Sequence, residues 1–223
     1  MSHYFTASTI SELVCFFAAI VCLRRDPSFV WRSMLVYLFL TCAVEIGGVY
    51  VSGPGHTINN HWIYNIFLIF EAGFTHLMFA GLLSNYINSK PIVITGLAIV
   101  FVLYIYEIHS HYVKHVSTYN INTYKVMSVL FVIYSLYFYY LLIKDERYIR
   151  LKYSAEFWWV AGTLIFYFTN TACNIFYVQL STVLSWYGYH LTRYIIGVLN
   201  VLLYGCWSYS FICRKWGMTR LEV

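Results

Sequence analysis

Charge is scarce in this chain: Asp, Glu, Lys and Arg make up only 10% of its 223 residues, against roughly a quarter in ordinary globular domains. A surface so poor in charge cannot keep a soluble domain apart from its neighbours. Proline is nearly missing too, and Pro27, Pro54 and Pro91 all stand at the ends of hydrophobic runs, so none of those runs is broken. Broken helices in repeated halves commonly build the midplane sites of carriers, and this sequence has no visible repeat. The six cysteines (15, 22, 42, 173, 206 and 213) form no CxxC pair and no loop pair, which excludes a disulfide framework and a cysteine zinc motif. The last hydrophobic run holds no lysine, so it cannot carry a retinal Schiff base.

What the chain does have is apolar length. Hydrophobic residues make up 61% and aromatics 21%, with a mean hydropathy of +0.65. A helix needs about 20 apolar residues to cross the hydrocarbon core, and only a helix satisfies its own backbone there. Runs of that kind lie at roughly 5–23, 30–51, 62–85, 92–110, 122–143, 156–178 and 186–212. The expected fold is an all-α integral membrane protein, a seven-transmembrane-helix bundle in one domain, 1–220. Leu221-Glu222-Val223 matches the start of a protease-site linker and reads as an appended remnant, so the native chain could continue past residue 220. Met1-Ser-His-Tyr4 has no basic region and no cleavage site follows, so the first run reads as a retained span rather than a signal peptide.

Orientation follows from the loops, because Lys and Arg are retained on the cytoplasmic side. Arg24, Arg25, Arg32, Lys90, the four basic residues from Lys144 to Lys152, Arg214, Lys215 and Arg220 share one side. Only Lys114 and Lys125 lie on the other, where His3, His56, His61, His109, His111, His115 and His190 also fall. The N-terminus is therefore expected outside and the C-terminus in the cytoplasm. The net charge of +5 is spread over loops and forms no nucleic-acid patch.

An ionisable group at the bilayer centre costs about 2.5–3.5 kcal/mol, so each one needs a partner or a wet cavity. Glu12, Glu45, Glu71 and Arg193 lie at overlapping depths. Arg193, Gly197, Asn200 and Tyr204 form one stripe at helical spacing, and Thr163, Tyr167, Asn170, Asn174 and Tyr177 form another. Thr41, Glu45 and Gly48 align in the second run, and Asn65, Ala72 and His76 in the third. These stripes point to a polar intramembrane chamber, open to the outer side and closed toward the cytoplasm. Its expected lining is Glu12, Glu45, Asn65, Glu71, Asn170, Asn174, Arg193 and Asn200. Without a ligand, Arg193 would pair with one glutamate and the asparagines would bond across helices at about 0.6–2 kcal/mol each. Three carboxylates against one arginine leave a surplus that calls for protons, water or a ligand cation.

Other features have plainer readings. The segment from Glu107 to His115 carries three imidazoles and Lys114, and reads as a solvated histidine-rich loop rather than a metal site. No metal and no cofactor is expected: three buried histidines for a zinc hydrolase and paired axial ligands for haem are lacking. His76 reads as a hydrogen-bonded core residue. Trp31, Trp62, Trp158, Trp159, Trp186 and Trp216 crowd the run ends as an interfacial belt. Tyr134, Tyr137, Tyr139 and Tyr140 read first as packing. Gly73, Gly81, Gly197 and Gly205 permit close helix contacts within a protomer or in a homo-oligomer.

The segments Asn60-His-Trp-Ile-Tyr-Asn-Ile-Phe-Leu-Ile-Phe-Glu71 and Phe157-Trp-Trp-Val-Ala-Gly-Thr-Leu-Ile-Phe-Tyr-Phe-Thr-Asn170 resemble parts of small bacterial seven-helix membrane proteins of unassigned activity. They also resemble the transmembrane sensor segments that precede membrane histidine kinases. The resemblance covers about two helices and implies a sensory input module. The expected function is then a receptor-like or sensory membrane module that binds a small ligand in the chamber. Membrane lipids surround it, and a cytoplasmic signalling partner would read it out. Two alternatives stand beside it. One is an intramembrane enzyme on a lipid, with Glu71 as general base and Arg193 on an anionic headgroup. The other is a proton-coupled carrier for a small solute.

Overall fold

A computed structural model describes residues 7–51, 60–114, 118–146, 150–176, 180 and 191–221, without the side chains of Val49, Thr192, Arg193 and residues 218–221. Seven α-helices occur among the described residues: α1 Ala7–Leu23, α2 Phe29–Val51, α3 His61–Leu83, α4 Lys90–Val113, α5 Ile121–Lys144, α6 Ala155–Ile175 and α7 Leu191–Leu221. A single 3-10 turn, Leu151–Tyr153, precedes α6. Segments Phe29–Gly48, His61–Leu83, Lys90–Val113, Ile121–Lys144 and Tyr194–Gly217 are long and apolar enough to cross a membrane, and α1 is a shorter apolar helix. These helices make the chain an integral membrane protein. The more polar α6 packs between α5 and α7 along its length.

Each helix packs on the next in chain order, and α7 returns to α1, so the seven helices close into a ring. Helix α3 also reaches α5 across the ring, and it is the most buried of the five long apolar helices. One end of the ring carries Asp26, Lys152 and Arg214 and is called the basic end here. The other carries the α3 N-terminus and residues 118–120.

Local chemistry sets where the helices start and stop. Pro91 sits in the first turn of α4, where its missing N–H removes nothing. The Ser154 hydroxyl accepts the Phe157 N–H and caps α6. Asp26 Oδ1 accepts the Ser28 N–H between α1 and α2 at 2.8 Å.

Most hydroxyls inside the apolar helices are absorbed by their own backbone. Thr41, Ser128, Ser135, Thr163, Thr171 and Ser208 each donate to the carbonyl four residues back, at 2.7–2.9 Å. They are therefore quiet in lipid and say nothing about a site. Carboxylates and amides have no such local escape.

The middle of the bundle is aromatic. Trp159 stacks on Trp207 with centroids 5.7 Å apart, and the Trp207 indole N–H donates to the Trp159 carbonyl at 3.2 Å. Tyr37 stacks on Phe74 at 4.2 Å, and Phe131 meets Tyr167 edge-on at 5.0 Å. The close α6–α7 crossing needs Gly162, where a Cβ would meet Cys206 Cβ at 2.8 Å. Among the described residues nothing stands within 4 Å of where a Cβ would lie at Gly73, Gly197 and Gly205, while Gly81 lies against Val30.

Two expectations are corrected. Trp159 is fully buried and Trp31 nearly so, which makes them core residues, whereas Trp62 and Trp216 are exposed as a belt requires. Trp186 lies outside the described residues. The expected loop at 107–113 is helix, because α4 continues to Val113. Its carboxylate, Glu107, faces inward and binds the start of α5. His109 and His111 thus ride on a helix, His111 Nε2 lies 3.1 Å from the Thr118 hydroxyl, and His115 falls outside the described residues. All six cysteines are free.

Candidate functional site

Between the ring's helices, on the side of the α3 N-terminus, lies a cavity of about 620 Å³. Its polar wall comes from Thr41 and Glu45 on α2, Asn60 and His61 at the start of α3, Glu71 further along that helix, and Asn170 and Asn174 on α6. The i, i+4 spacing of the two asparagines puts both on the inner face of α6. Glu71 stands at the base, where the Tyr167 hydroxyl donates to its Oε1 at 2.6 Å. Asn170 Nδ2 donates to the Tyr124 hydroxyl across the cavity. Toward the basic end the packed rings of Tyr37, Phe74, Phe131 and Trp207 follow, all buried.

A second cavity of about 770 Å³ adjoins the first and lies between α1, α2 and α7. Glu45 and Ile196 line both, so Glu45 stands between the two compartments. Asn200 belongs to this second space, and its Nδ2 donates to the Ser8 hydroxyl on α1 at 3.5 Å.

Five of the eight expected residues therefore border one or other of these adjoining cavities: Glu45, Glu71, Asn170, Asn174 and Asn200. Asn65 lines neither cavity. Its Nδ2 donates to the Thr118 carbonyl at 3.0 Å and its Oδ1 accepts the Asn120 N–H at 2.9 Å. One amide thus grips the backbone on both sides of Tyr119 and holds that ring in the cavity wall. Burial first, and then the nearby Glu71 carboxylate, push the Tyr119 phenol upward, so it stays protonated. Glu12 lines neither cavity either: it is buried in α1 beside the Cys42 thiol, and its Oε1 has no partner among the described residues. Arg193 lies in the first turn of α7, and its side chain is outside the described residues.

No known family, curated protein or solved structure matches this chain. The site has to be read from its geometry. Sequence reasoning missed its aromatic wall: Tyr64, Phe67, Tyr119, Tyr124 and Phe166 all line the first cavity. Tyr64 was detectable through its helical register, since it lies seven residues before Glu71 on the same face of α3. Its hydroxyl lies over Gly48 of α2, where any Cβ would collide with it. His76 is buried under Phe131 and Tyr134, its Nδ1 2.7 Å from the Ala72 carbonyl, and it does not line the cavity. Among the described residues no three His, Cys, Asp or Glu side chains gather as metal ligands would.

Proposed function

We propose that this protein is a receptor-like or sensory module that binds a small ligand in the chamber between α2, α3, α5 and α6. The observation that carries the reading is the cavity itself: about 620 Å³, with two carboxylates and two carboxamides on three helices converging on it. Small-molecule sites are concave, mostly apolar and fitted with a few convergent polar groups, at about 300–1,000 Å³. The helical hydroxyls are satisfied by their own backbone, so the groups left facing this space are those that a ligand can use.

In the proposed topology all seven helices span the membrane of a bacterium, with the N-terminus and chamber outside. The basic residues at the far end favour the cytoplasm there. A ligand that touches several helices biases the bundle only through different affinity for two packings, and the side chains of three or more helices around one cavity provide that leverage. A cytoplasmic partner or a second copy of the chain would carry the signal onward. The kinase-sensor resemblance of residues 60–71 and 157–170 fits this reading.

The test uses protein in nanodiscs and a defined panel of amino acids, amines, monosaccharides, nucleosides and short-chain acids. At least one compound is expected to raise the Tm saturably in the parent protein and not in Asn174→Trp, whose indole would intrude into the cavity from α6. Product formed from added phospholipid or sphingolipid would overturn the reading in favour of an enzyme, and accumulation of the bound solute in sealed proteoliposomes would favour a carrier. For the topology, a fluorescent protein fused after residue 223, of a kind that matures only in the cytoplasm, should light up.

A further inference from the structure

Two carboxylates facing a cavity within an apolar bundle need protons, water or a counter-charge. Glu45 and Glu71 both open onto the chamber, and His61, at the start of α3, is the one basic side chain among its described lining residues, which hold no lysine or arginine. Arg193, whose side chain is outside the described residues, can cancel one of these charges at most. The Tyr167 hydroxyl donates to Glu71 Oε1 at 2.6 Å. A phenol brings no positive charge, so this bond orients the carboxylate without neutralising it.

Five aromatic rings complete this wall. Tyr64, Phe67, Tyr119, Tyr124 and Phe166 surround the carboxylates from α3, the 118–120 connection, α5 and α6. Aromatic faces carry the negative end of the ring quadrupole and attract ammonium groups, more strongly when both are withdrawn from water. An anion would meet repulsion from both glutamates. A neutral solute would gain no charge pairing from either carboxylate. Resting on the ligand-chamber reading above, we infer that the chamber selects a small organic cation, an ammonium group on an apolar body, with the charge between Glu45 and Glu71 and the body against the rings.

The experiment uses three probes of one shape and different charge: phenethylammonium, 2-phenylethanol and phenylacetate. Each is titrated onto the full chain in nanodiscs by calorimetry. Phenethylammonium should bind about tenfold or more tightly than the alcohol, as charge pairing and ring contacts in a desolvated site allow. Phenylacetate should not compete. Glu71→Gln and Glu45→Gln, each checked for folding by gel filtration, should shrink the preference for the cation over the alcohol, and Asn174→Trp should abolish binding of both.

Equal or tighter binding of the alcohol or the acid, still blocked by Asn174→Trp, would overturn the cation inference and leave the chamber reading standing. An unchanged preference in both glutamine variants would overturn it as well. Silence of all three probes, while a sugar or nucleoside of the wider panel binds in an Asn174→Trp-sensitive way, would remove the cation inference alone. Silence of the whole panel would remove both readings.

Discussion

Arg214→Ala is expected to destabilise the bundle by about 3 kcal/mol, the low end for removing one partner of a buried ion pair. Asp26 is 1% exposed, and the guanidinium holds it through Nε–Oδ2 at 2.9 Å and Nη2–Oδ1 at 3.5 Å. Without Arg214 the carboxylate keeps, among the described residues, the Ser28 N–H alone. The low end applies because Arg214 is itself a quarter exposed. The same guanidinium lies 5.3 Å over the Trp31 ring and 3.5 Å from Glu156, so one side chain ties α7 to α2, to the α1–α2 turn and to α6. Glu156→Ala should cost well under about 1 kcal/mol, since that pair is long and partly solvated.

The measurement is thermal unfolding in detergent, followed by a thiol-reactive dye that reports the buried Cys15 and Cys213. A fall of several degrees for Arg214→Ala and almost none for Glu156→Ala is the expected order. Equal effects would mean that the Asp26 and Trp31 contacts of Arg214 add nothing beyond its long pair with Glu156.

Most of the helical plan was legible because lipid imposes one rule everywhere: the backbone must bond to itself, so apolar length alone marks a helix. The six stretches between the runs needed only their charges to be noticed. What could not be read was contact across the ring. Asn65 shares a stripe with Ala72 and His76, which suggested a cavity-facing amide, yet it bonds backbone more than 50 residues away. Nothing in helical periodicity distinguishes an amide that faces a cavity from one that holds a neighbouring turn.

Trp159 shows the opposite failure. Its place near the start of α6, beside Trp158, is what an interfacial tryptophan looks like in sequence, but Gly162 lets α7 approach and Trp207 stacks on it. The aromatic lining of the chamber was hidden for a compositional reason. With 23 tyrosines and 17 phenylalanines in the chain, no single ring stands out, and only the fold separates Tyr64 and Tyr124 from those that face lipid, such as the exposed Tyr140. The glutamates were legible because buried charge is rare. Two of the three, Glu45 and Glu71, line the cavity, and Glu12 stands behind it.

Glu107 carries the second large prediction. Asn120 occupies the N-cap position of α5 but makes no side-chain cap bond, so the first N–H groups of that helix look elsewhere. They find a carboxylate from the preceding helix. Glu107 Oε1 accepts from the Asn122 N–H and side-chain amide at 3.1 Å, and Oε2 accepts from the Thr123 N–H at 2.9 Å and hydroxyl at 2.8 Å. The anion sits at the positive end of the α5 dipole, where charge adds to the hydrogen bonds. Glu107→Ala should therefore cost about 2–3 kcal/mol, because it leaves buried donors around the fully buried Thr123 without acceptors. Glu107→Gln keeps one acceptor and turns an NH2 toward donors, so its loss should be intermediate if individual bonds matter and nearly as large if the charge dominates. The readout is the same dye-monitored melt, joined by hydrogen exchange of the Asn122 and Thr123 amides. Protection of those two amides should collapse in Glu107→Ala while that of mid-helix amides near Phe131 holds. If their protection survives, α5 is capped by something other than this carboxylate. The same turn carries Tyr119, so losing the cap should also loosen one wall of the chamber and weaken binding of any ligand that contacts that ring.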